Sequence, residues 1–130
     1  MRIHTTLLLL MLSLTFVSAQ REMAAGITDA LAKGDAVALS AYFNDNVELV
    51  LGSVNDVYSK KQASGIVADF FRRNKVSSFQ ILHKGTKENS AFSICTMRAG
   101  SANYRVYILV RRTSDDQQLI QQLRIESSND

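Results

Sequence analysis

Between Met23 and Asn74 the apolar positions recur mainly every three or four residues, interrupted by two short strand-like segments, and from Val76 onward they alternate with polar ones. Met23, Ile27 and Leu31 stand four apart with Ala30 beside them, which predicts one face of an amphipathic helix. Gly34 occupies the position where a helix ends in a left-handed residue, and Asp35 can cap the next helix at once. Leu39 and Phe43 share a face of that short second helix, and Asn44-Asp45-Asn46 ends it as a turn. Val47–Leu51 reads as a short strand, with Val54–Tyr58 as a second one across a Gly-Ser turn. Ser59 and Gln62 then stand three apart and predict a capping box at the start of a third helix. Ala63, Ile66, Val67, Phe70 and Phe71 give that helix a broad apolar face, and Arg72 and Arg73 sit at the end that its dipole favours for cations.

Four strands follow at period two: Val76–Lys84, Ala91–Ala99, Asn103–Arg112 and Gln118–Glu126. The intervening segments, 85–90, 100–102 and 113–117, are short and rich in turn-forming residues. Connections this short join antiparallel neighbours, so the second half is expected to be a four-stranded meander. Helices first and long antiparallel strands afterwards make an α+β layout, with the N-terminal helices packed on one face of the sheet.

The leader changes where this domain is expected to act. Arg2 precedes an apolar run, Leu7–Leu12 and Leu14–Val17, and Val17-Ser18-Ala19 supplies small residues where a signal peptidase reads. The run is shorter than the roughly 20 apolar residues that span a bilayer. Residues 1–19 are therefore read as a signal peptide and 20–130 as one domain, periplasmic or secreted, with no membrane span after cleavage. Gln20 rather than a cysteine follows the cleavage point, which argues against a lipid anchor. The formal charge of +3 falls to +2 once Arg2 leaves, and the remaining basic residues are scattered, so nucleic acid is not an expected partner. Cys95 is the only cysteine, within the apolar pattern FSICTM, and is expected to be a small buried hydrophobe. There is no proline, so every turn must be made by Gly, Asn, Asp or Ser.

Candidate chemistry is sparse. Acid–base catalysis needs titratable groups within hydrogen-bond reach of the reacting proton. The four long strands hold no aspartate, and Glu126 lies at a strand end. His83 is the only histidine after the leader, and it shares strand parity with Phe79 and Ile81, which directs it towards the apolar side. It is the one catalytic candidate, with Glu48 as the strand carboxylate that would pair with it. One His and one Cys fall short of the ligand set a zinc site needs, and no phosphate-cradling loop or nucleophile elbow is present. Neither metal nor cofactor is expected.

The last two strands are two-faced. Tyr104, Val106, Ile108 and Val110 alternate with Arg105, Tyr107, Leu109 and Arg111, and Leu119, Leu123 and Ile125 alternate with Ile120, Gln122 and Arg124. The first set of each is assigned to the face under the helices. The second mixes arginine, tyrosine and aliphatic residues, a composition enriched at interfaces, although a solvated sheet face would show the same pattern. Arg105, Tyr107, Leu109, Ile120, Gln122 and Arg124 are thus the candidate residues for binding a partner, a second copy of the chain among them.

The order of helix, short helix, strand pair, helix and four long strands resembles the nuclear-transport-factor-2-like superfamily, a cone-shaped, cystatin-like fold with a curved antiparallel sheet wrapped around helices. The segments Ile81–Gly85, Tyr104–Arg112 and Leu119–Glu126 resemble a family of small exported Bacteroidota proteins classed as a domain of unknown function. The resemblance implies a fold, a compartment and pairing through the sheet, and carries no catalytic residues. The leading expectation is an exported non-catalytic module that binds a small ligand or a protein at the sheet and the cone mouth. A hydrolase or isomerase using His83 in the cone, and a structural envelope protein, are the alternatives. If the leader is read correctly, N-terminal sequencing of the exported protein will begin at Gln20, and a retained, membrane-pelleting segment 1–19 will refute it.

Overall fold

The computed structural model describes residues 22–129; the expected leader lies outside them. Among the described residues three helices, α1 (Ala25–Lys33), α2 (Ala36–Ser40) and α3 (Lys60–Arg73), accompany six strands. The strands are β1 (Phe43–Leu51), β2 (Val54–Ser59), β3 (Val76–Lys87), β4 (Ser90–Ala99), β5 (Ala102–Arg112) and β6 (Gln118–Ser127). No helix among the described residues is long and apolar enough to cross a membrane.

Local chemistry sets the helix ends. Gly34 takes φ 64° at the end of α1, a conformation that costs glycine little. Asp35 then accepts a hydrogen bond from the Ala38 amide at 3.1 Å and starts α2. At the start of α3 the amide of Gln62 donates to Ser59 Oγ and the amide of Ser59 donates to Gln62 Oε1, both at 3.2 Å, closing the capping box. Asn74 finishes α3 by donating through Nδ2 to the Phe70 carbonyl at 3.0 Å. The start of α1 has no side-chain cap of its own; the Ala24 amide donates to Gln118 Oε1 at 2.6 Å, and Gln118 Nε2 donates to the Glu22 carbonyl at 2.8 Å. A side chain of the last strand thereby stands in for a missing cap.

The six strands form one sheet in the order β2-β1-β6-β5-β4-β3. β3 to β6 make the expected antiparallel meander, and the β1–β2 hairpin joins it through a parallel pairing of β1 with β6. The inner face carries Leu49, Cys95, Val106, Ile108, Leu123 and Ile125, all essentially without solvent contact. Ile27 and Leu31 of α1, Leu39 of α2 and Ala63, Val67 and Phe71 of α3 close over them. Each such large aliphatic or aromatic side chain contributes about 1.5–3 kcal/mol through burial.

Three expectations change. Phe43 belongs to β1 rather than to α2, which ends at Ser40. Asn44-Asp45-Asn46 is not a turn but an irregular stretch of β1, since Phe43 pairs with Ile120 and the next partners are Glu48 and Gln122. Asn44 Nδ2 reaches Gln121 Oε1 across this gap at 3.4 Å. The third change concerns parity. β3 carries an extra residue, Leu82, between the pairs Ile81–Cys95 and His83–Ile94, and β6 carries Gln121 between the partners of Leu109 and Val110. An extra residue of this kind is a β-bulge, and it moves the following side chain to the opposite face.

Cys95 lies on the inner face without solvent exposure, and burial pushes its thiol up to about 11. The neutral thiol therefore persists in the folded protein at pH values where an unfolded thiol has ionised. The unfolded chain then binds fewer protons than the native one, so stability falls as pH rises from about 9 to about 11. Native Cys95 is expected to react with a thiol reagent at neutral pH only at the rate of unfolding. Fast labelling of the folded protein would contradict this placement.

Candidate functional site

Two surfaces offer contact chemistry, on opposite sides of the sheet. The helices cover only the inner face. On the outer face Tyr107 of β5 stands between Ile94 of β4 and Arg124 of β6, and Leu109 stands between Phe92 and Gln122. Arg105 is flanked by Thr96 and Glu126. Further along, Val50 pairs with Arg124 on one side and Asn55 on the other, while Glu48 lies between Gln122 and Val57. The Phe92 and Tyr107 rings are nearly parallel at 6.5 Å. Phe92 also covers Gly85, where an added Cβ would run into the ring, so glycine at this position lets the aromatic lie flat across the sheet.

Five of the six predicted contact residues share this outer face: Arg105, Tyr107, Leu109, Gln122 and Arg124. Ile120 does not. The Gln121 bulge aligns it with Val110, and it is fully buried in the core. Leu119, assigned by alternation to the inner side, takes the outer position opposite Arg111 for the same reason. Phe92, Ile94 and Val50 were not predicted, because an almost continuous apolar run such as FSICTM does not announce which alternate residues face outward. Val50 is only 7% exposed although it is absent from the main core, and Val57 beside it is 59% exposed. Arg124 Nε donates to Glu126 Oε1 at 3.0 Å, and this bond, reinforced by the carboxylate charge, raises the guanidinium's already high pKa further.

His83 is also on the outer face. Its parity with Phe79 and Ile81 is broken by the Leu82 bulge, which sets it opposite Ile94, and its side chain is exposed. It cannot pair with Glu48. β1 and β3 are separated by β6, β5 and β4, four interstrand steps or roughly 19 Å. The described residues contain no group of three or more His, Cys, Asp or Glu side chains arranged to hold a metal ion.

The second surface is an open cavity of about 930 Å³ on the helical side. It lies between one strip of α3, the β1–β2 turn and the ends of β5 and β6. Ile66, Phe70, Tyr104 and Ile125 supply apolar walls, with the Phe70 and Tyr104 rings edge to face at 5.3 Å and 82°. Asp69 on the rim is held by Arg72 and by Arg73, the latter at 2.9 Å. His83 does not line this cavity. No local sequence signal marks it, since its walls come from elements distant along the chain.

Comparison with known proteins places this geometry. A structure from Bacteroides ovatus, described as a DUF4783 family protein, is 33% identical, with a TM-score of 0.79 over 85% of this chain and all of the other. A second such protein, from Bacteroides uniformis, is 28% identical, with a TM-score of 0.78 over 84% of this chain and all of the other. A ketosteroid isomerase-like protein from Erwinia carotovora atroseptica is 14% identical, with a TM-score of 0.67 over 81% of this chain and 90% of its own, and shares the fold alone. No functionally curated protein matches. The architecture is the cone-shaped nuclear-transport-factor-2-like α+β fold expected from the order of elements. The family model for the domain of unknown function DUF4783 matches residues 24–126, nearly the whole domain, and the chain belongs to that family.

Proposed function

We propose that this protein is an exported, non-catalytic interaction module whose outer sheet face is its contact surface, occupied by a second copy of the chain. The observation that carries the reading is the apolar band formed on that face by Phe92, Ile94, Tyr107 and Leu109, which no helix among the described residues covers. Apolar and aromatic residues at the centre with Arg105, Gln122 and Arg124 around them follow the usual anatomy of a protein interface. A standard interface buries roughly 1,200–2,000 Å² in total, within reach of a face this broad. Export rests on the leader. The non-catalytic reading is supported by the position of His83, exposed on the outer face and outside the cavity.

Sedimentation of the native protein at high micromolar concentration is expected to give a dimer. Tyr107→Glu with Leu109→Glu should give a monomer that retains its secondary structure, because both side chains are on the outer face and outside the core. A native protein already monomeric at that concentration removes this reading. Turnover of any ester or ketosteroid-like substrate that is lost in His83→Ala would replace it with an enzymatic one.

A further inference from the structure

The cavity beside α3 contains a feature that packing does not explain. Gly65 lies in the interior of a 14-residue helix and lines the cavity, and a Cβ at this position would meet nothing within 4 Å. Glycine in a helix interior costs about 0.5–1 kcal/mol relative to alanine. Neither a positive φ nor a close backbone approach requires it here. The missing side chain leaves room in the cavity at the expense of helix stability.

The walls say what would use that room. A volume of about 930 Å³ is that of a site for a drug-sized molecule. Ile66, Phe70, Tyr104 and Ile125 offer it an apolar and aromatic lining. The charges at the rim are not balanced. The Asp69 carboxylate is already engaged by Arg72 and Arg73, whereas Lys61 has no ion-pair partner among the described residues.

We propose that this cavity binds a compact apolar or aromatic small molecule bearing one anionic group, with the body against Phe70 and Tyr104, Gly65 giving it clearance and Lys61 meeting the charge. The site is independent of the sheet face and does not require the dimer.

Two dyes of nearly the same ring framework test it: 8-anilinonaphthalene-1-sulfonate, which is anionic, and N-phenyl-1-naphthylamine, which is neutral. Both should bind the native protein with enhanced fluorescence, the sulfonate more tightly. Gly65→Leu should abolish binding of both. Lys61→Gln should weaken the sulfonate about two- to fivefold, the range for an exposed ion pair, and leave the neutral dye unchanged. Gly65→Ala guards against a folding artefact, since it should raise the melting temperature and weaken both dyes. Near-ultraviolet circular dichroism confirms that each variant keeps its packed core. Equal binding to wild type and Gly65→Leu, or sulfonate binding indifferent to Lys61→Gln, overturns the proposal. Loss of the dimer alone leaves it standing.

Discussion

Everything in this molecule depends on how side chains are shared between the two faces of a single sheet. A pleated strand sends successive residues to opposite sides, so apolar residues an odd number apart cannot both face the helices unless the strand gains a residue. Ile120 and Leu123 of β6 are three apart, and both are fully buried. The Gln121 bulge makes this possible. Burial of each is worth about 1.5–3 kcal/mol, more than the 0.5–1.5 kcal/mol net value of the ladder hydrogen bond that a bulge disturbs. In β3 the same device at Leu82 turns His83 outward after Phe79 and Ile81. Along β6 the core is thus satisfied first, and the outer face receives what remains.

That hierarchy explains what could be read from the residues. The capping box of Ser59 and Gln62, the left-handed Gly34 and the four-strand meander depend on neighbours in sequence, and each is found where local chemistry puts it. The bulges at Gln121 and Leu82 depend on pairing partners on other strands, so alternation counted along one strand misplaces Ile120 and His83. Phe43 misleads in another way. Four residues from Leu39, it fits a helical face, but as the first residue of β1 it is buried opposite Ile120. The cavity was beyond the reach of periodicity because α3, the β1–β2 turn and the end of β6 meet only in three dimensions.

The sheet separates the two candidate contact surfaces. One lies on its outer face and is broad, shallow and two-dimensional; the other is an open cavity on the helical side, walled by a strip of α3. Sharing this fold with an isomerase-like protein at 14% identity transfers no chemistry, since function follows the side chains placed on the scaffold rather than the scaffold itself. In this chain aromatic, aliphatic and cationic side chains occur on both surfaces.

The parallel pairing of β1 with β6 bears on how the chain finds this structure. Leu49 and Leu123 are neighbours in the sheet although most of the domain lies between them in sequence. Contacts of such long range bear the full entropy of loop closure before they return any stability, whereas the turns of the β3–β6 meander close over a few residues. The meander is therefore expected to form early and the β1–β2 hairpin to dock last, an order that pulsed hydrogen exchange would reveal as late protection of β1 and β2. With no proline in the chain, no prolyl isomerisation would obscure that order.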